Sequence, residues 1–452
     1  MVETITHNGE SRDPLSRQSW NEAVGASQIG PFDNCPRLGF REYWYPGVWK
    51  KDIGRRPINL KMLGEELVLF NGKDGKVSAL SDWCPHRGAR LSRGYCDFEG
   101  TVTCPYHGYV FDDAGQCVAG LIESPKSPLA PKMRVRHYPT AEWQGVVFIW
   151  MGDTEPVPLE EDLPWEMKDP TLSGRRHTRV KNWNCNWTEP IWQGIDYHEY
   201  YLHRSTKFWN LINYKLPFLR PKPVYTSGAE VIEEGDTFFT TSQKSIHYGQ
   251  AEYEGLGKWP KRVWWRRLGA LKKGRGKETW AGFNHGVQLP SIVRIPNGGF
   301  DHMRWGVPVD DNNTMMWTFG ISKTPKTIFG QWFKDFWYYF YQKQYQVKAI
   351  NEQEDFPEFE EGNINPDVPQ KLGILDVGVI YFRRHLAKRS RDFLRLGGAN
   401  GSNHPATRTP AEWAAMQKNG VKNGATNGAT NGASNGAEET SHQEGELVSA
   451  DD

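Results

Sequence analysis

Two short segments of the sequence combine cysteine and histidine in a pattern that could bind metal. The first begins at Cys84 and reads Cys-Pro-His-Arg-Gly, and the second begins at Cys104 and reads Cys-Pro-Tyr-His-Gly. Seventeen residues separate His86 from Cys104. Two thiolates and two imidazoles can hold zinc, or a two-iron cluster in which a histidine pair replaces one cysteine pair. Zinc fingers usually pair like with like, whereas each segment here supplies one sulfur and one nitrogen, which favours the cluster.

The two segments also carry proline and glycine, which are typical of a tight loop that turns back beneath a metal. Together they resemble the Rieske [2Fe-2S] motif. By motif position, the resemblance implies that Cys84, His86, Cys104 and His107 are the cluster ligands. A structural zinc loop is the alternative interpretation.

A second candidate site lies in residues 182–203, which include His198 and His203. Two imidazoles joined by one carboxylate form the facial triad of non-haem ferrous iron, which leaves coordination positions open for O₂. Thr188 before Glu-Pro predicts a helix start. Residues five apart on a regular helix are rotated by roughly 140°, so a π-bulge or a helix end must bring the two histidines together. Two ordinary surface or core histidines are the alternative.

The third iron ligand should come from far downstream, and the candidate is the acidic run at residues 352–358. It follows a predicted helix, where carboxylates are unfavourable unless a positive charge offsets them. A ferrous ion would be such a charge. A solvated acidic turn is the alternative interpretation.

Over roughly residues 38–395 the chain resembles the oxygenase α subunit of Rieske non-haem iron oxygenases. Within that family the chain resembles the homotrimeric terminal oxygenases, such as carbazole 1,9a-dioxygenase and 2-oxoquinoline 8-monooxygenase. The resemblance implies that His198, His203 and Asp355 bind the mononuclear iron, and the family uses the same five-residue histidine spacing.

The chain departs from the family at the residue that links cluster and iron. The family usually has an aspartate three residues before the first iron-binding histidine, but Ile195 occupies that place and Asp196 follows it. Asp196 is our candidate for the electron relay, and Glu189 is the second choice.

The resemblance implies a terminal oxygenase that inserts oxygen from O₂ into a hydrophobic aromatic, heterocyclic or terpenoid substrate. No GxGxxG fingerprint opens a βαβ unit, so a separate NAD(P)H-dependent reductase, with or without a ferredoxin, should supply electrons. The expected cofactors are a [2Fe-2S] cluster and Fe(2+), and the expected assembly is a homotrimer. A Rieske electron carrier or binding protein without a catalytic iron is the alternative function.

Composition limits the remaining possibilities. A length of 452 residues predicts two domains plus tails. A net charge of +1 with 24% charged residues gives no reason to expect nucleic acid as a partner. The sequence shows no secretory signal, no apolar run near the roughly 18 residues of a membrane span and no disulfide framework. We therefore expect a soluble cytoplasmic protein with no membrane partner.

The elements that must position these sites predict an α+β fold. It consists of a small all-β Rieske domain and an antiparallel-sheet catalytic domain covered by helices. The expected strands are Tyr43–Trp49, Ile58–Leu63, Glu66–Phe70, Lys76–Leu80, Gly145–Gly152, Glu230–Gln243, Gln288–Ile295 and Met315–Ser322. The expected divisions are an N-terminal extension at 1–37, the Rieske domain at 38–155, the catalytic domain at 156–396 and a disordered tail at 397–452.

Two further segments carry predictions. Apolar residues recur at helical spacing from Ile328 to Ile350, and we expect this helix to cover the sheet with its aromatic stripe in the core. The basic, Trp-rich segment from Lys258 to Lys277 could dock an acidic ferredoxin. A solvated loop covering the active site is the favoured interpretation of that segment.

Overall fold

The computed structural model describes the greater part of residues 35–395. The described ranges are 35–124, 126–173, 177–195, 224–226, 229–234, 237–242, 245–247, 252–253, 257–258, 285–297, 300–340, 343–344, 347–348, 372 and 376–395. The chain divides into two units, Met1–Ala406 and Thr407–Asp452, and every described residue lies in the first. The predicted tail at 397–452 therefore lies outside the described residues.

The N-terminal part consists of ten short strands in three antiparallel sheets. The strands are β1 (Trp44–Trp49), β2 (Ile58–Met62), β3 (Glu65–Asn71), β4 (Val77–Ser81), β5 (Thr101–Thr103), β6 (Tyr109–Asp112), β7 (Cys117–Gly120), β8 (His137–Tyr138), β9 (Thr140–Trp143) and β10 (Val146–Trp150). The sheet orders are β1-β10-β9, β2-β3-β4-β8 and β5-β6-β7. The five strands predicted in this part all form, with ends that shift by one or two residues.

The C-terminal part is built on one eight-stranded antiparallel sheet. Its strands are β11 (Leu172–Ser173), β12 (Thr178–Trp183), β14 (Ala229–Glu234), β15 (Thr237–Ser242), β19 (His285–Gln288), β20 (Ile292–Asn297), β21 (Phe300–Asp310) and β22 (Asn313–Lys323). Their order is β11-β22-β21-β20-β19-β15-β14, with β12 also paired to β22. Two small ribbons pair β13 (Val224–Thr226) with β16 (Ser245–His247) and β17 (Glu252–Tyr253) with β18 (Gly257–Lys258).

Six α-helices stand among the described residues of this part. They are α1 (Leu159–Asp162), α2 (Trp165–Lys168), α3 (Thr188–Gln193), α4 (Ile328–Trp337), α5 (Val377–Tyr381) and α6 (Arg391–Arg395). The expectation of an all-β domain followed by an antiparallel sheet with helices is confirmed.

The predicted bounds of two strands in the C-terminal part are wrong, because each predicted run contains two strands. The run 230–243 forms two antiparallel paired strands, since β14 ends at Glu234 and β15 begins at Thr237. The run 288–295 is likewise divided, since β19 ends at Gln288 and β20 begins at Ile292. Pro290 lies between them and has no backbone N–H to donate to a ladder.

The prediction that the aromatic stripe of α4 lies in the core is wrong. Gln331 and Asp335 lie on the opposite face, where Asp335 Oδ1 is 3.1 Å from His177 Nε2 and accepts from Gln331 Nε2 at 2.8 Å. Tyr338, just after α4, is buried and donates to the His177 carbonyl at 3.0 Å. The helix is thus anchored through hydrogen-bonded groups, and its aromatic face is exposed. Tyr341 and Tyr345 lie outside the described residues.

The two parts are joined by buried polar contacts. Leu63 N–H donates to the Pro308 carbonyl at 2.7 Å, and Trp44 N–H donates to Asp162 Oδ2 at 2.8 Å. Arg391 Nη2 is 2.7 Å from the other oxygen of Asp162. These contacts pair charges and backbone groups that would otherwise be buried without partners, which is costly. One continuous hydrophobic core therefore includes β1, β10 and the large sheet.

None of the helices that the structure describes is long and apolar enough to cross a membrane.

Candidate metal centre and its supporting residues

The two Cys-His segments form loops with the same backbone pattern. In the first loop (residues 84–88), Cys84 N–H donates to the Ala89 carbonyl at 2.8 Å and its own carbonyl accepts from Gly88 N–H at 2.9 Å. In the second loop (residues 104–108), Cys104 N–H donates to the Tyr109 carbonyl at 2.8 Å and its carbonyl accepts from the Gly108 N–H at 3.1 Å. Each loop is thereby closed by its own backbone and presents its side chains from a fixed frame.

The two cysteine side chains meet at the buried end of the loops. Cys84 and Cys104 are each 2% exposed and belong to the apolar cluster beneath the loops. A hydrogen bond from the Cys84 thiol, helped by backbone N–H groups at positions 106 and 107, outweighs burial and lowers the pKa of Cys104 to about 6. The same hydrogen bond, together with burial, raises the pKa of Cys84. The sulfur atoms are thus adjacent, and thiolate at Cys104 is stabilised by directed hydrogen bonds.

The two histidine side chains meet on the outer side. The ring centroids of His86 and His107 lie 4.6 Å apart with 76° between the ring planes, and both residues are half-buried. Partial burial, and then the neighbouring positive groups, lower the pKa of His107. A neutral imidazole is the form that binds a metal. The Tyr106 ring packs on the His107 ring with centroids 3.9 Å apart, and the Tyr109 ring packs edge-on against the His86 ring with centroids 5.0 Å apart. These contacts fix the two imidazole rings.

This donor set fits a two-iron cluster. The Nδ1 atom of His86 is buried and has no hydrogen-bond partner among the described residues, so a metal would satisfy it. Within the same described part of the chain, no three His, Cys, Asp or Glu side chains converge on one metal position. A Rieske cluster needs only two protein ligands for each iron, a sulfur pair on one and a nitrogen pair on the other. That division matches the adjacent thiols and adjacent imidazoles.

A buried carboxylate supports the first loop. Asp82 is fully buried and accepts from Ser92 N–H at 2.6 Å and from Ser92 Oγ at 2.7 Å. It also accepts from Asn59 Nδ2 at 3.1 Å and from Arg90 Nη1 at 3.3 Å. Arg90 in turn forms two hydrogen bonds with Glu66, at 2.8 and 3.0 Å. The loop therefore starts from a carboxylate held by β2, β3 and the turn that follows the loop.

The segment predicted to carry the iron ligands begins as expected. Helix α3 starts at Thr188, whose N–H and hydroxyl donate to Asn186 Oδ1 at 3.1 and 2.8 Å. The Asn186 side chain donates in turn to the carbonyls of Arg37 and Asp311 at 3.0 and 2.9 Å. The prediction of a helix start at Thr188 is confirmed. The hydrogen bonds of Asn186 fix the direction in which this helix leaves the sheet.

Helix α3 lies directly against the large sheet. A Cβ on Gly194, the residue that follows the helix, would lie 2.6 Å from a methyl group of Val293, so only glycine allows this approach. Ile195, at the place of the usual aspartate, is fully buried in the main core. Glu189 is half-buried on α3. The side chain at position 195 therefore serves packing.

Several predicted site residues lie outside the described residues. They are Asp196, His198, His203 and Asp355, together with residues 259–277 of the basic Trp-rich segment. Their roles stay predictions, as do the ligand roles at the cluster.

Comparison with known proteins identifies the family. Residues 43–139 match the Rieske [2Fe-2S] domain, and residues 150–392 match the homotrimeric ring hydroxylase family. The second match covers more than half of the chain. The chain belongs to the homotrimeric ring hydroxylase family. The predicted domain limits at 38–155 and 156–396 stay predictions.

Individual relatives agree with this assignment. The ring hydroxylase is 28% identical over 284 residues to the terminal oxygenase component of carbazole 1,9a-dioxygenase from Metapseudomonas resinovorans, covering 61% of this chain and 71% of that one. It is 27% identical over 277 residues to a putative toluene-4-sulfonate monooxygenase iron-sulfur subunit from Comamonas testosteroni, covering 61% and 76%. Its fold matches the oxygenase in a reduced oxygenase–ferredoxin complex of carbazole 1,9a-dioxygenase with a TM-score of 0.62, at 20% identity and coverage of 85% and 99%.

These matches confirm the prediction of a Rieske terminal oxygenase, an oxidoreductase that inserts oxygen into aromatic compounds. They also confirm the expected cofactors, a [2Fe-2S] cluster and a mononuclear iron. The family is described as homotrimeric, as expected.

Sequence reasoning missed two features of the metal centre. Asp82 received no role, although it stands two residues before the first loop. Cys117 also received no role, but it is buried in the same apolar cluster as the two loop cysteines. Neither carries a local sequence signal, because their neighbours come from other strands.

Proposed function

We propose that this ring hydroxylase takes up single electrons through a cluster held by Cys84, His86, Cys104 and His107. It would use them to oxygenate a hydrophobic aromatic, heterocyclic or terpenoid substrate. One observation carries the cluster assignment: two adjacent buried thiols lie beneath two half-exposed imidazoles whose ring centroids are 4.6 Å apart.

The cysteine and histidine side chains at this centre lie in different environments. The cysteines lie in an apolar environment away from water, and the histidines form the edge nearest the surface. An electron donor would therefore approach the histidine edge. The loop hydrogen bonds hold all four donors in place before metal binds, so little reorganisation is needed. When bound, the cluster would supply one-electron transfer and the mononuclear iron would supply O₂ activation.

The mononuclear iron would be held by His198, His203 and Asp355, by their match to the family motif. Two imidazoles and one carboxylate form the set that leaves positions open on ferrous iron. Asp196 would link this iron to the cluster, with Glu189 as the alternative.

The electron donors would be a ferredoxin and an NAD(P)H-dependent reductase. The absence of a dinucleotide-binding fingerprint from this sequence supports a separate reductase. The related oxygenase that forms a complex with ferredoxin supports the ferredoxin. With such partners we place the protein in the cytoplasm, as a homotrimer that takes O₂ and a small hydrophobic substrate.

Metal content tests the proposal directly. The purified chain should contain about three iron atoms and about two acid-labile sulfides, the sum of a two-iron cluster and one further iron. His203→Ala should remove one iron and the substrate-dependent O₂ uptake but keep the visible spectrum of the cluster. His137→Ala, at an exposed strand position, is the matched control and should keep both. About two iron atoms and no O₂ uptake would instead indicate an electron carrier.

The substrate class needs its own experiment. O₂ uptake by the holoenzyme with a surrogate electron donor should rise with some aromatic, heterocyclic or terpenoid compounds and not with polar ones. If uptake responded only to polar compounds, the hydrophobic substrate would be wrong while the oxygenase assignment would stand.

A further inference from the structure

One face of helix α4 exposes a continuous set of large apolar side chains, which we call the aromatic face. Its members are between 49% and 81% exposed: Ile328, Phe329, Trp332, Phe333, Phe336 and, just after the helix, Phe340. The rings of Trp332 and Phe336 stack with centroids 6.1 Å apart, and those of Phe336 and Phe340 stack at 5.4 Å. The face is therefore a single ordered strip rather than scattered side chains.

The size of the aromatic face is unusual for a surface that meets only water. With roughly 200 Å² in a large aromatic side chain, its exposed area is on the order of 800 Å². The largest apolar patch on a monomeric protein is typically about 300–600 Å², and larger patches mark interaction sites. A face of this size calls for a partner.

The structure fixes this face outward. The Thr327 hydroxyl caps α4 by accepting from Gly330 N–H at 3.1 Å, and Asp335 and Tyr338 on the other side hold His177. His177 is buried at the start of β12. Rotating the helix to bury the aromatic face would break the Asp335 and Tyr338 hydrogen bonds and leave the buried His177 without these partners.

Charge around the aromatic face is mostly positive. Residues 323–348 contain five lysines but only one carboxylate, Asp335, and that carboxylate is paired with His177. Lys323 and Lys326 are exposed before the helix, and Lys343 lies over the Tyr339 ring at 5.1 Å. Asp169 lies near Lys323 and bonds to Thr171, so it offsets part of one charge. The apolar strip is thus flanked by cations at both ends.

We propose that the aromatic face binds the surface of a membrane that contains anionic phospholipids, with α4 lying in the interface plane. Trp and Tyr favour the membrane–water interface, and lysines beside an apolar helix face are attracted to anionic headgroups. Protein–protein interfaces are instead depleted of lysine. This proposal departs from the expectation of no membrane partner. It is independent of the oxygenase chemistry, because no residue of the metal sites takes part.

Vesicle sedimentation of the full-length holoenzyme tests the proposal. Wild-type protein should sediment with vesicles of phosphatidylcholine mixed with phosphatidylglycerol, and less with phosphatidylcholine alone or at high salt. The triple variant Phe329→Ser, Trp332→Ser and Phe336→Ser should bind at least about tenfold more weakly. Leu394→Ser is the matched control, since Leu394 is 65% exposed on α6 and lies outside the aromatic face.

Three results would overturn the membrane proposal. They are no sedimentation with anionic vesicles, equal sedimentation by the triple variant, and a loss of assembly mass in the triple variant during analytical ultracentrifugation. The last result would show that a second copy of the chain covers the face. The cluster spectrum and the O₂ uptake without vesicles are measured on the same samples, so failure here is distinguishable from failure of the proposed oxygenase function.

Discussion

Gly88 and Gly108 close the two cluster loops in the same left-handed conformation, with φ of +71° and +65°, but their surroundings differ. A Cβ at Gly88 would meet nothing within 4 Å, whereas a Cβ at Gly108 would lie 3.1 Å from the Cβ of Leu121. The loops are alike in backbone, but the second is pressed against the turn after β7.

Because of this difference, we expect alanine to destabilise the protein more at position 108 than at position 88. Gly88→Ala should lower the free energy of unfolding by about 1 kcal/mol, because a Cβ is strained at positive φ. Gly108→Ala should lower it by more than that and should also reduce cluster content. Thermal unfolding and visible absorbance measure the two effects. Gly75→Ala, at φ +67° with open space, is the control for strain alone. Equal behaviour of all three variants would remove the role assigned to the Leu121 contact.

Serine should have different effects at two buried cysteines of the same apolar cluster, Cys104 and Cys117. Cys104→Ser should abolish the visible spectrum and the acid-labile sulfide, because serine provides no thiolate for iron. Cys117→Ser should keep both, since the Cys117 thiol lies 3.4 Å from the Ala119 carbonyl and serine can make the same hydrogen bond. A spectrum that survives in Cys104→Ser, or disappears in Cys117→Ser, would change the ligand set.

Removing the charge of Asp82 should weaken the first loop. In Asp82→Asn one oxygen is replaced by an NH₂ group, and either oxygen accepts from a donor: Oδ1 from the Ser92 N–H, and Oδ2 from the Ser92 hydroxyl and Arg90. Leaving such groups unpaired costs about 1–3 kcal/mol. We expect the free energy of unfolding, measured with denaturant, to fall by this amount and the visible spectrum of the cluster to decay faster. Asp74→Asn, in the exposed turn between β3 and β4, is the control and should change neither. An unaltered spectrum lifetime in Asp82→Asn would limit Asp82 to a general structural role.

Glu65 should make stability depend on pH in a defined direction. Burial raises the pKa of Glu65, but Arg41, Arg136 and a hydrogen bond from Tyr138 outweigh it, so the pKa falls below its ordinary value of 4.5. A lowered carboxyl pKa stabilises the folded state above the unfolded value, and the contribution is lost as pH falls through the folded-state pKa.

Glu65→Gln should therefore lower the free energy of unfolding by about 3 kcal/mol at neutral pH, because it removes the carboxylate closest to the buried Arg41 guanidinium. The difference from wild type should shrink when the melting temperature is measured below pH 4.5. Glu142→Gln is the control, since Glu142 pairs with Lys50 on the surface at 2.8 Å and should contribute no more than about 1 kcal/mol. A deficit in Glu65→Gln that does not change with pH would show that the charge is not what stabilises.

The cluster loops were predictable because each is one continuous run whose turn residues and donors stand side by side. The role of Asp82 was not predictable, because its partners Asn59 and Glu66 lie on β2 and β3 and approach it only in the folded sheet. Periodicity correctly indicated a helix from Ile328, but it shows only that apolar residues share a face. It does not show which face meets the sheet. That was decided by His177, far away in sequence, which binds the polar side of α4.

Electron transfer between the cluster and the mononuclear iron should depend on Asp196. Ile195 is fully buried, so the usual position of the aspartate is unavailable for charge, and the next residue, Asp196, is our candidate relay. Asp196→Asn should slow reoxidation of the reduced cluster by O₂ and substrate in single-turnover stopped-flow experiments. A carboxylate that accepts a hydrogen bond between two sites contributes through charge, which asparagine lacks.

Glu189→Gln is the matched variant on the neighbouring helix α3 and should leave the single-turnover rate unchanged. Both variants should retain about three iron atoms per chain, so that a slow rate reports the link rather than lost metal. If Glu189→Gln were slow and Asp196→Asn were normal, the relay would pass through α3, and the shift of register from Ile195 to Asp196 would have no role in electron transfer.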